Sequence, residues 1–383
     1  MYRLRVAHLT NVIDGRKQSG TARVARELIR ELSQDSQIEQ FLFHFDDSDD
    51  DVYKLDRVTE IRIPLIRFNI PAKRFFSFLI FVLSKRIHLA SLSIDVVHWH
   101  VGRVYPLFWL LPSKAIFVTL HDAGGYLLRG VNNFWTFAFR LSMFFSRHKV
   151  DLFLAVSKTA MLQLKKHSRI VGDKIDFVYV ATRIREVISK VPRATFDFDF
   201  TKDFILCVSR WQPHKNVVCL VQAYELLCKD YPFVPPLMLV GQPIGDYDEV
   251  NSLINKLPDP SKVVVIPYVD DAELRYLYET CLFSVFPSLH EGFGLAVLES
   301  MALEKTVLVH NQTATCEILG IDELCIDMND PLILFCRMNH LLKHPEEIRA
   351  MNLKVYLSSK RFSWSLTAKK LVELYSMSLE GKG

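Results

Sequence analysis

The chain alternates between two hydrophobic rhythms. "RLRVAHLT" (3–10) reads as a strand, and "GTARVARELIRELSQ" (20–34) repeats its apolar residues at helical spacing. "IDVVHWH", "AIFVTLHD" and "DLFLAVS" are short β-branched runs, each closed by a polar or glycine-containing break. From residue 204 the habit returns with "FILCVSR", the helix-like "VVCLVQAYELLCKDY", then "PPLMLVG", "KVVVIPYV", "DAELRYLYETC" and "LFSVFPS". Strands alternating with helices in both halves predict an α/β protein with parallel sheets covered on two faces. Between the halves "SKVPRATFDFDFTKD" follows neither period. It is the expected linker.

The expected division is therefore an N-terminal domain over 1–188, a linker over 189–203 and a second domain over 204–362. A C-terminal helix over 363–383 is expected to pack back towards the first domain. A length of 383 residues suits two domains. No apolar run approaches the roughly 20 residues needed to cross a bilayer. The opening "MYRLRVAHLTNV" lacks the basic-apolar-small order of a secretory signal. A net charge of +4 is far from that of a nucleic-acid packaging protein, so no nucleic-acid partner is expected. Seven cysteines, all between Cys207 and Cys336, contain no C-x-x-C. They read as buried small hydrophobes in a reducing cytosol, neither disulfides nor a zinc site. Among the histidines His98 and His100 sit close in sequence, with no carboxylate or cysteine arranged beside them for a metal.

Candidate chemistry gathers at "FPSLHEGFGLAVLES" (286–300), a strand, a turn and a helix. In open parallel sheets ligands sit outside the carboxyl ends of the strands. A helix N-terminus there offers unpaired amides and a positive dipole end to an anion. Gly292 and Gly294 let backbone approach that anion with no side chain in the way. Glu291 precedes the helix and Glu299 lies inside it, about 12 Å away if every step is helical. That spacing suits a long ligand with hydroxyls at both ends and an anion between them: a sugar, a diphosphate and a ribose. Two carboxylates can accept from vicinal diols without acid–base work. "CVSRWQPHKN" adds Arg210 and Lys215 beyond the first strand of the same half, two cations able to neutralise a diphosphate.

In order and spacing, "SRWQPHKN", "VDDAELRYLYETC", "FPSLHEGFGLAVLESMA" and "CEILG" resemble the family-4 retaining glycosyltransferases, which have two facing Rossmann-like domains, the GT-B fold, with the donor cleft between them. The likeness continues in "SGTARVARELIREL", "DVVHWH", "VTLHD", "AVSKTA" and "RFSWSLTAKKLVELY". It implies a hexosyltransferase that moves a sugar of mannose or glucose type from a GDP- or UDP-linked donor to a glycan. The expected acceptor is lipid-linked, in bacterial surface polysaccharide or lipopolysaccharide synthesis. Glu291 would bind hydroxyls of the transferred sugar and Glu299 the ribose. Gly292 belongs to the same glycine turn, and the amides of Phe293, Gly294 and Leu295 would meet sugar and diphosphate. Arg210 and Lys215 would hold the phosphates. Gly20 matches a glycine loop that approaches the donor, and His121 a histidine near the reacting centre. Neither metal nor cofactor is implied, the nucleotide sugar being a co-substrate.

The chain departs from that pattern in three places. Ser19-Gly20 stands for a glycine pair, "VATRI" (180–184) for an N-G-V turn, and "ALEKTVLV" carries Glu304 and Thr306 in place of glycine and proline. These put the acceptor and domain closure in question rather than the donor residues. Rival readings are a metal-dependent transferase using Asp197 and Asp199, a same-fold disaccharide phosphorylase or nucleotide-sugar epimerase, and a non-catalytic nucleotide-sugar-binding subunit.

Location rests on charge. Between Glu60 and Asp95 there is no acid, while Arg62, Arg67, Lys73, Arg74, Lys85 and Arg86 surround "FFSFLIFVL". Arg129, Arg140, Arg147 and Lys149 likewise surround "FWTFAFRLSMFF". Cations interleaved with aromatics suit an interfacial helix. The expected location is cytoplasmic, with peripheral attachment to the inner face of the membrane.

Overall fold

The computed structural model describes residues 3–9, 20–46, 55, 57–68, 70, 73–101, 107–124, 144, 147–168, 170, 172–192, 198–200, 202–230 and 233–381. The chain forms two compact units, Met1–Val180 with Ser363–Gly383, and Ala181–Phe362.

In the first unit the order is β1 (Leu4–Leu9), α1 (Gly20–Leu32), β2 (Ile38–Phe45), β3 (Val58–Ile63), α2 (Lys73–Ser84), α3 (Arg86–Ser91), β4 (Val96–Trp99), β5 (Ala115–Leu120), β6 (Leu152–Ala155), α4 (Lys158–His167) and β7 (Ile175–Phe177). The strands make one seven-stranded sheet in the order β3-β2-β1-β4-β5-β6-β7. Every neighbouring pair is parallel, with His8 opposite His98 and Leu9 opposite Trp99 in the central pair. β4 and β5 are buried along their whole length, as continuous apolar strands must be when helices cover both faces. Helix α1 turns Ala22, Val24, Ala25, Leu28, Ile29 and Leu32 inward, the stripe its sequence spacing predicts. Ser157 starts α4 by accepting the Ala160 N–H at 3.0 Å.

The C-terminal helix, Trp364–Glu380, belongs to this same unit. Ser363 caps it through the Leu366 N–H, and Thr367 Oγ1 donates to the Tyr179 carbonyl at 2.7 Å. Tyr375 is buried against the sheet, its ring edge-on to Phe117 at 4.8 Å.

The second unit runs β8 (Ile205–Val208), α5 (Val217–Asp230), β9 (Leu237–Val240), α6 (Tyr247–Asn255), β10 (Val263–Ile266), α7 (Asp271–Thr280), β11 (Phe283–Phe286), α8 (Leu295–Ala302), β12 (Val307–His310), α9 (Ala314–Leu319), β13 (Cys325–Ile326), α10 (Pro331–Lys343) and α11 (Pro345–Ser359). Its six strands are ordered β10-β9-β8-β11-β12-β13 and are parallel throughout. A reciprocal capping box between Asp270 and Glu273 starts α7. In both sheets the chain lays down a central strand, winds outward on one side, then returns to wind outward on the other. The reversals fall between β1 and β4 and between β8 and β11. A crevice at the strands' carboxyl ends is expected at each.

Three sequence expectations need revision. The division falls at Val180/Ala181, upstream of the 189–203 linker, because residues after it are tied into the second unit. Ile184 is fully buried, Arg275 Nη1 donates to the carbonyls of Arg185 and Val187, and the Lys190 N–H reaches the Ala272 carbonyl at 3.1 Å. The cysteines are not all unpaired small hydrophobes either. Cys316 and Cys325 form a disulfide with Cα atoms 5.6 Å apart, and Cys336 is exposed. Pairing of β12 with β13 brings the start of β13 to α9, which nine residues of sequence separation do not reveal. Lastly, His98 and His100 have a third close partner, His8 of the adjacent strand.

Candidate functional site

In the second unit the candidate residues lie on loops at the β8/β11 reversal. After β8 the chain runs through Arg210 and Trp211 into a single helical turn, Pro213–Lys215, and Asn216 follows in a left-handed conformation (φ 56°). From there the Asn216 amide donates to the carbonyls of Pro287, at 3.3 Å, and Met328, at 2.8 Å. One side chain thus ties the loop after β8 to those after β11 and β13. The Leu289 N–H to the His214 carbonyl, 2.8 Å, is a second tie. These bonds set Lys215 Nζ 2.6 Å from Glu291 Oε1, each side chain about one-fifth exposed (21%). Arg210 is exposed on the same loop, with no ion-pair partner among the described residues.

The glycine turn is set by sterics. Gly294 is the N-cap of α8 at φ 97°, and a Cβ there would lie 2.5 Å from Thr315 Cγ2. Only glycine fits both the angle and the space. Phe293 is buried and meets the Phe362 ring edge-on at 5.7 Å, which anchors the turn. Gly292 and Leu295 flank it. Ser284 and Ser300 share a hydrogen bond of 2.7 Å, and Tyr278 OH donates to the Ala296 carbonyl at 3.1 Å, fixing α8 on β11 and α7. Helix α8 thus starts four residues after Glu291, and a helix N-terminus favours an anion. Glu299 lies within α8 and is 4% exposed.

Sequence reading missed Gly241 and Gly245. A Cβ at Gly241 (φ 138°) would fall 2.2 Å from the Ser209 carbonyl oxygen, and one at Gly245 (φ 105°) 2.5 Å from that of Trp211. The loops after β8 and β9 therefore touch backbone to backbone. Two glycines four residues apart behind a strand were the available signal. Trp211 is buried there, stacked on Tyr247 at 6.1 Å. Asn216, directly ahead of a helix, was a second signal, since asparagine tolerates the left-handed region. At the departures from the family pattern, Glu304 takes φ 62° and pairs with Arg185 at 3.2 Å. Thr306 is buried, its hydroxyl donating to Asn352 at 2.7 Å.

Gly20 and His121 lie in the first unit. Gly20 opens α1 and is exposed; the loop before it, Ser19 included, lies outside the described residues. His121 follows β5 and its Nε2 is 2.8 Å from the His100 carbonyl, so that nitrogen carries the proton. Burial pushes its pKa below the ordinary histidine value. Behind it lies a buried imidazole cluster. His8 Nδ1 is 2.9 Å from His100 Nε2, while His98 bonds Tyr375 OH at 2.6 Å and Thr119 Oγ1 at 2.7 Å. Burial lowers His8 to about 4, and lowers His98 and His100 well below the usual value, so all three are neutral near pH 7. Their ring nitrogens lie within 4.8 Å of one another, the spacing of a metal-ligand group. Yet His98 spends both nitrogens on hydroxyls, and a cation would have to displace one of those bonds. The cluster reads as a hydrogen-bond network that docks the C-terminal helix on the sheet.

Of the rival D-x-D pair, Asp197 lies outside the described residues and Asp199 is about half exposed beside Lys202 at 3.9 Å. Most of the second basic and aromatic run, 129–149, also lies outside them.

The comparisons bear on family and fold. The family described as "Glycosyltransferase Family 4" matches residues 18–182, and "Glycosyl transferases group 1" matches 192–357. The chain is 27% identical over 249 residues to the serotype-specific mannosyltransferase WbdA of Escherichia coli, covering 61% of this chain and 29% of that protein. It is 28% identical over 174 residues to the O-antigen chain mannosyltransferase B of Escherichia coli, covering 45% and 46%. The chain thus spans less than half the length of either relative. In fold it is similar to the Anabaena protein HepE in complex with UDP and glucose, with a TM-score of 0.74 at 15% identity over 98% of this chain and all of that one. Two doubly wound units, a glycine-capped helix beside a Lys–Glu pair, and the two family matches lead to one conclusion: the chain belongs to the family-4 glycosyltransferases of GT-B fold.

Proposed function

We propose that the chain is a retaining hexosyltransferase that uses a nucleotide sugar. The observation that carries this reading is the Lys215–Glu291 pair beside the N-terminus of α8. A cation bonded to a carboxylate, with a helix start four residues further along the chain, gives the counter-charge, hydroxyl acceptor and dipole end that a sugar diphosphate needs. Arg210 and Lys215 stabilise the charge that builds on the leaving diphosphate. Glu291 accepts from hydroxyls of the transferred sugar, and Glu299 is assigned to the ribose. Gly20 and His121 are assigned to the donor and the reacting centre from the first unit. The donor phosphate takes the acceptor proton on the face it leaves, which keeps the anomeric configuration. Two cations fill the place that a divalent metal takes in other transferases.

Relatives named as mannosyltransferases, one of them for O-antigen chains, support a hexose donor and a surface-polysaccharide product. A structural neighbour holding UDP and glucose supports a nucleotide-sugar donor. The acceptor is a glycan carried on a lipid at the cytoplasmic face of a membrane.

Thermal-shift screening against GDP- and UDP-sugars tests the reading. A donor at one hundred times its Kd adds about 2.7 kcal/mol to stability. Transfer of the sugar from the stabilising donor to an oligosaccharide, with the anomeric configuration kept, is the expected result. Turnover that needs inorganic phosphate would mean a phosphorylase, a rearranged donor an epimerase, and binding without turnover a non-catalytic subunit.

A further inference from the structure

We propose that the Cys316–Cys325 disulfide is a redox-sensitive clamp on the loop that carries Lys215, so that a dithiol reductant loosens the candidate site. The bridge joins two short elements, α9 and the two-residue edge strand β13, and each of them reaches that site. On the α9 side the neighbour of Cys316 is Thr315, whose Cγ2 lies 2.5 Å from where a Cβ on Gly294 would sit. On the β13 side, three residues beyond Cys325, the buried Met328 offers its carbonyl to the Asn216 amide at 2.8 Å. Asn216 follows Lys215 directly, so that bond helps to hold the cation against Glu291.

The two ends of the bridge are not held equally. Helix α9 has ties of its own: Ser358 Oγ donates to the Leu319 carbonyl and Arg361 Nη2 to the Ile318 carbonyl, both at 2.6 Å. Strand β13 has two register pairs with β12, Val309 with Cys325 and His310 with Ile326. Just past them the Asn311 N–H reaches the Ile326 carbonyl at 3.0 Å and the Met328 N–H reaches His310 Nδ1 at 3.1 Å. An edge this short opens easily by itself. The disulfide fastens it to the anchored helix. Breaking the bridge therefore frees Met328 first, and Asn216 with it.

The bridge is also placed for exchange. Both of its cysteines are half-buried, within reach of a small thiol. The buried free thiols compete poorly. Burial pushes Cys207 and Cys281 up to about 12 and Cys219 to about 11, which leaves little thiolate to attack the bridge. A dithiol's thiolate attacks one bridge sulfur and its second thiol resolves the mixed disulfide. Cys316 and Cys325 leave as thiols, and the reductant closes to its own disulfide. Oxidised glutathione runs the exchange backwards. In a reducing compartment, the location the sequence suggests, disulfides are characteristically transient and redox-sensing rather than permanent staples.

The clamp rests on the nucleotide-sugar reading for its purpose, whereas its effect on the loop does not. The test compares the full chain after oxidised glutathione with the same chain after dithiothreitol. Maleimide labelling in denaturant should find Cys316 and Cys325 blocked in the first sample and free in the second. Hydrogen exchange at the Met328 and Asn216 amides should quicken about tenfold or more on reduction, while β10, on the opposite edge of the sheet, stays unchanged. Stabilisation by GDP- or UDP-sugars should shrink in parallel. Cys316→Ala with Cys325→Ala should exchange like the reduced chain and ignore both reagents. Cys336→Ser, which lacks the exposed thiol, should respond like wild type. Cys316 and Cys325 that label alike in both samples, or amides that exchange alike in both, overturn the proposal. A response lost in Cys336→Ser would trace it to bridges between copies and overturn it too. Quickened exchange in a chain that no nucleotide sugar stabilises keeps the clamp and sinks the donor reading alone. Equal exchange in a chain that a nucleotide sugar does stabilise sinks the clamp alone.

Discussion

Lys215 donates to Glu291 across 2.6 Å although 76 residues separate them in the chain. The contact exists because β8 and β11, far apart in sequence, are neighbours in the sheet. With each partner about one-fifth exposed, the bridge itself adds on the order of 1 kcal/mol. On the proposed function its consequence is chemical: a donor phosphate would draw Lys215 from Glu291 and free the carboxylate for a sugar hydroxyl.

Lys215→Ala, Arg210→Ala and Glu291→Ala should each cut transfer about a hundredfold or more, the scale for removing one charge-stabilising group. Glu299→Ala should weaken donor binding more than it slows the chemical step. Steady-state kinetics on folded variants checks this. Wild-type turnover in both cation variants would remove the assignment.

Gly294→Ala should destabilise the protein by more than about 1 kcal/mol, since alanine meets both a positive φ and the Thr315 methyl at 2.5 Å. Thr315→Ser deletes that methyl and keeps the hydroxyl bonded to Thr313 at 2.6 Å. The double variant should recover the steric part and leave the strain of the angle. Urea denaturation of the three variants separates the two, and equal loss in single and double variants would refute the clash.

Acid should weaken the fold before any carboxylate titrates. His8, His98 and His100 have folded pKa values below the unfolded value of about 6.5 because burial disfavours their charged form. The unfolded chain therefore binds more protons below pH 6.5. Stability is complete above that pH and falls as pH drops towards about 4, the folded value of His8, by up to about 1.4 kcal/mol per pH unit per histidine. Unfolding free energies at pH 7.5 and 5.5 check the sign. His8→Gln should flatten the dependence, and an unchanged stability between the two pH values would contradict it.

Transfer should persist in EDTA and gain nothing from Mn²⁺, because the proposed mechanism gives Arg210 and Lys215 the phosphate-neutralising place. Loss of activity in EDTA with recovery on Mn²⁺ would favour a metal-dependent route and return attention to Asp197 and Asp199.

By itself the sequence determined what is local. Alternating apolar periods specified strands and helices in both halves, because each period records which side of an element meets a core. A glycine at a helix start and cations behind a strand were visible for the same reason. What lies between elements was decided by the tertiary structure. Strand order placed Glu291 against Lys215, His8 against His98, and β13 beside β12 so that Cys316 meets Cys325. Gly241 and Gly245 matter only because another loop's carbonyls crowd them. The basic, aromatic stretch before Asp95 could be read from sequence, but which of its apolar side chains fill the core and which face solvent could not. Phe78 and Phe81 went inward against Trp99 and Phe108, and that packing left Phe76, Ile80, Leu83 and Ile87 outside. Periodicity is written along the chain, whereas neighbourhood across a sheet depends on how separate elements bury their surfaces together.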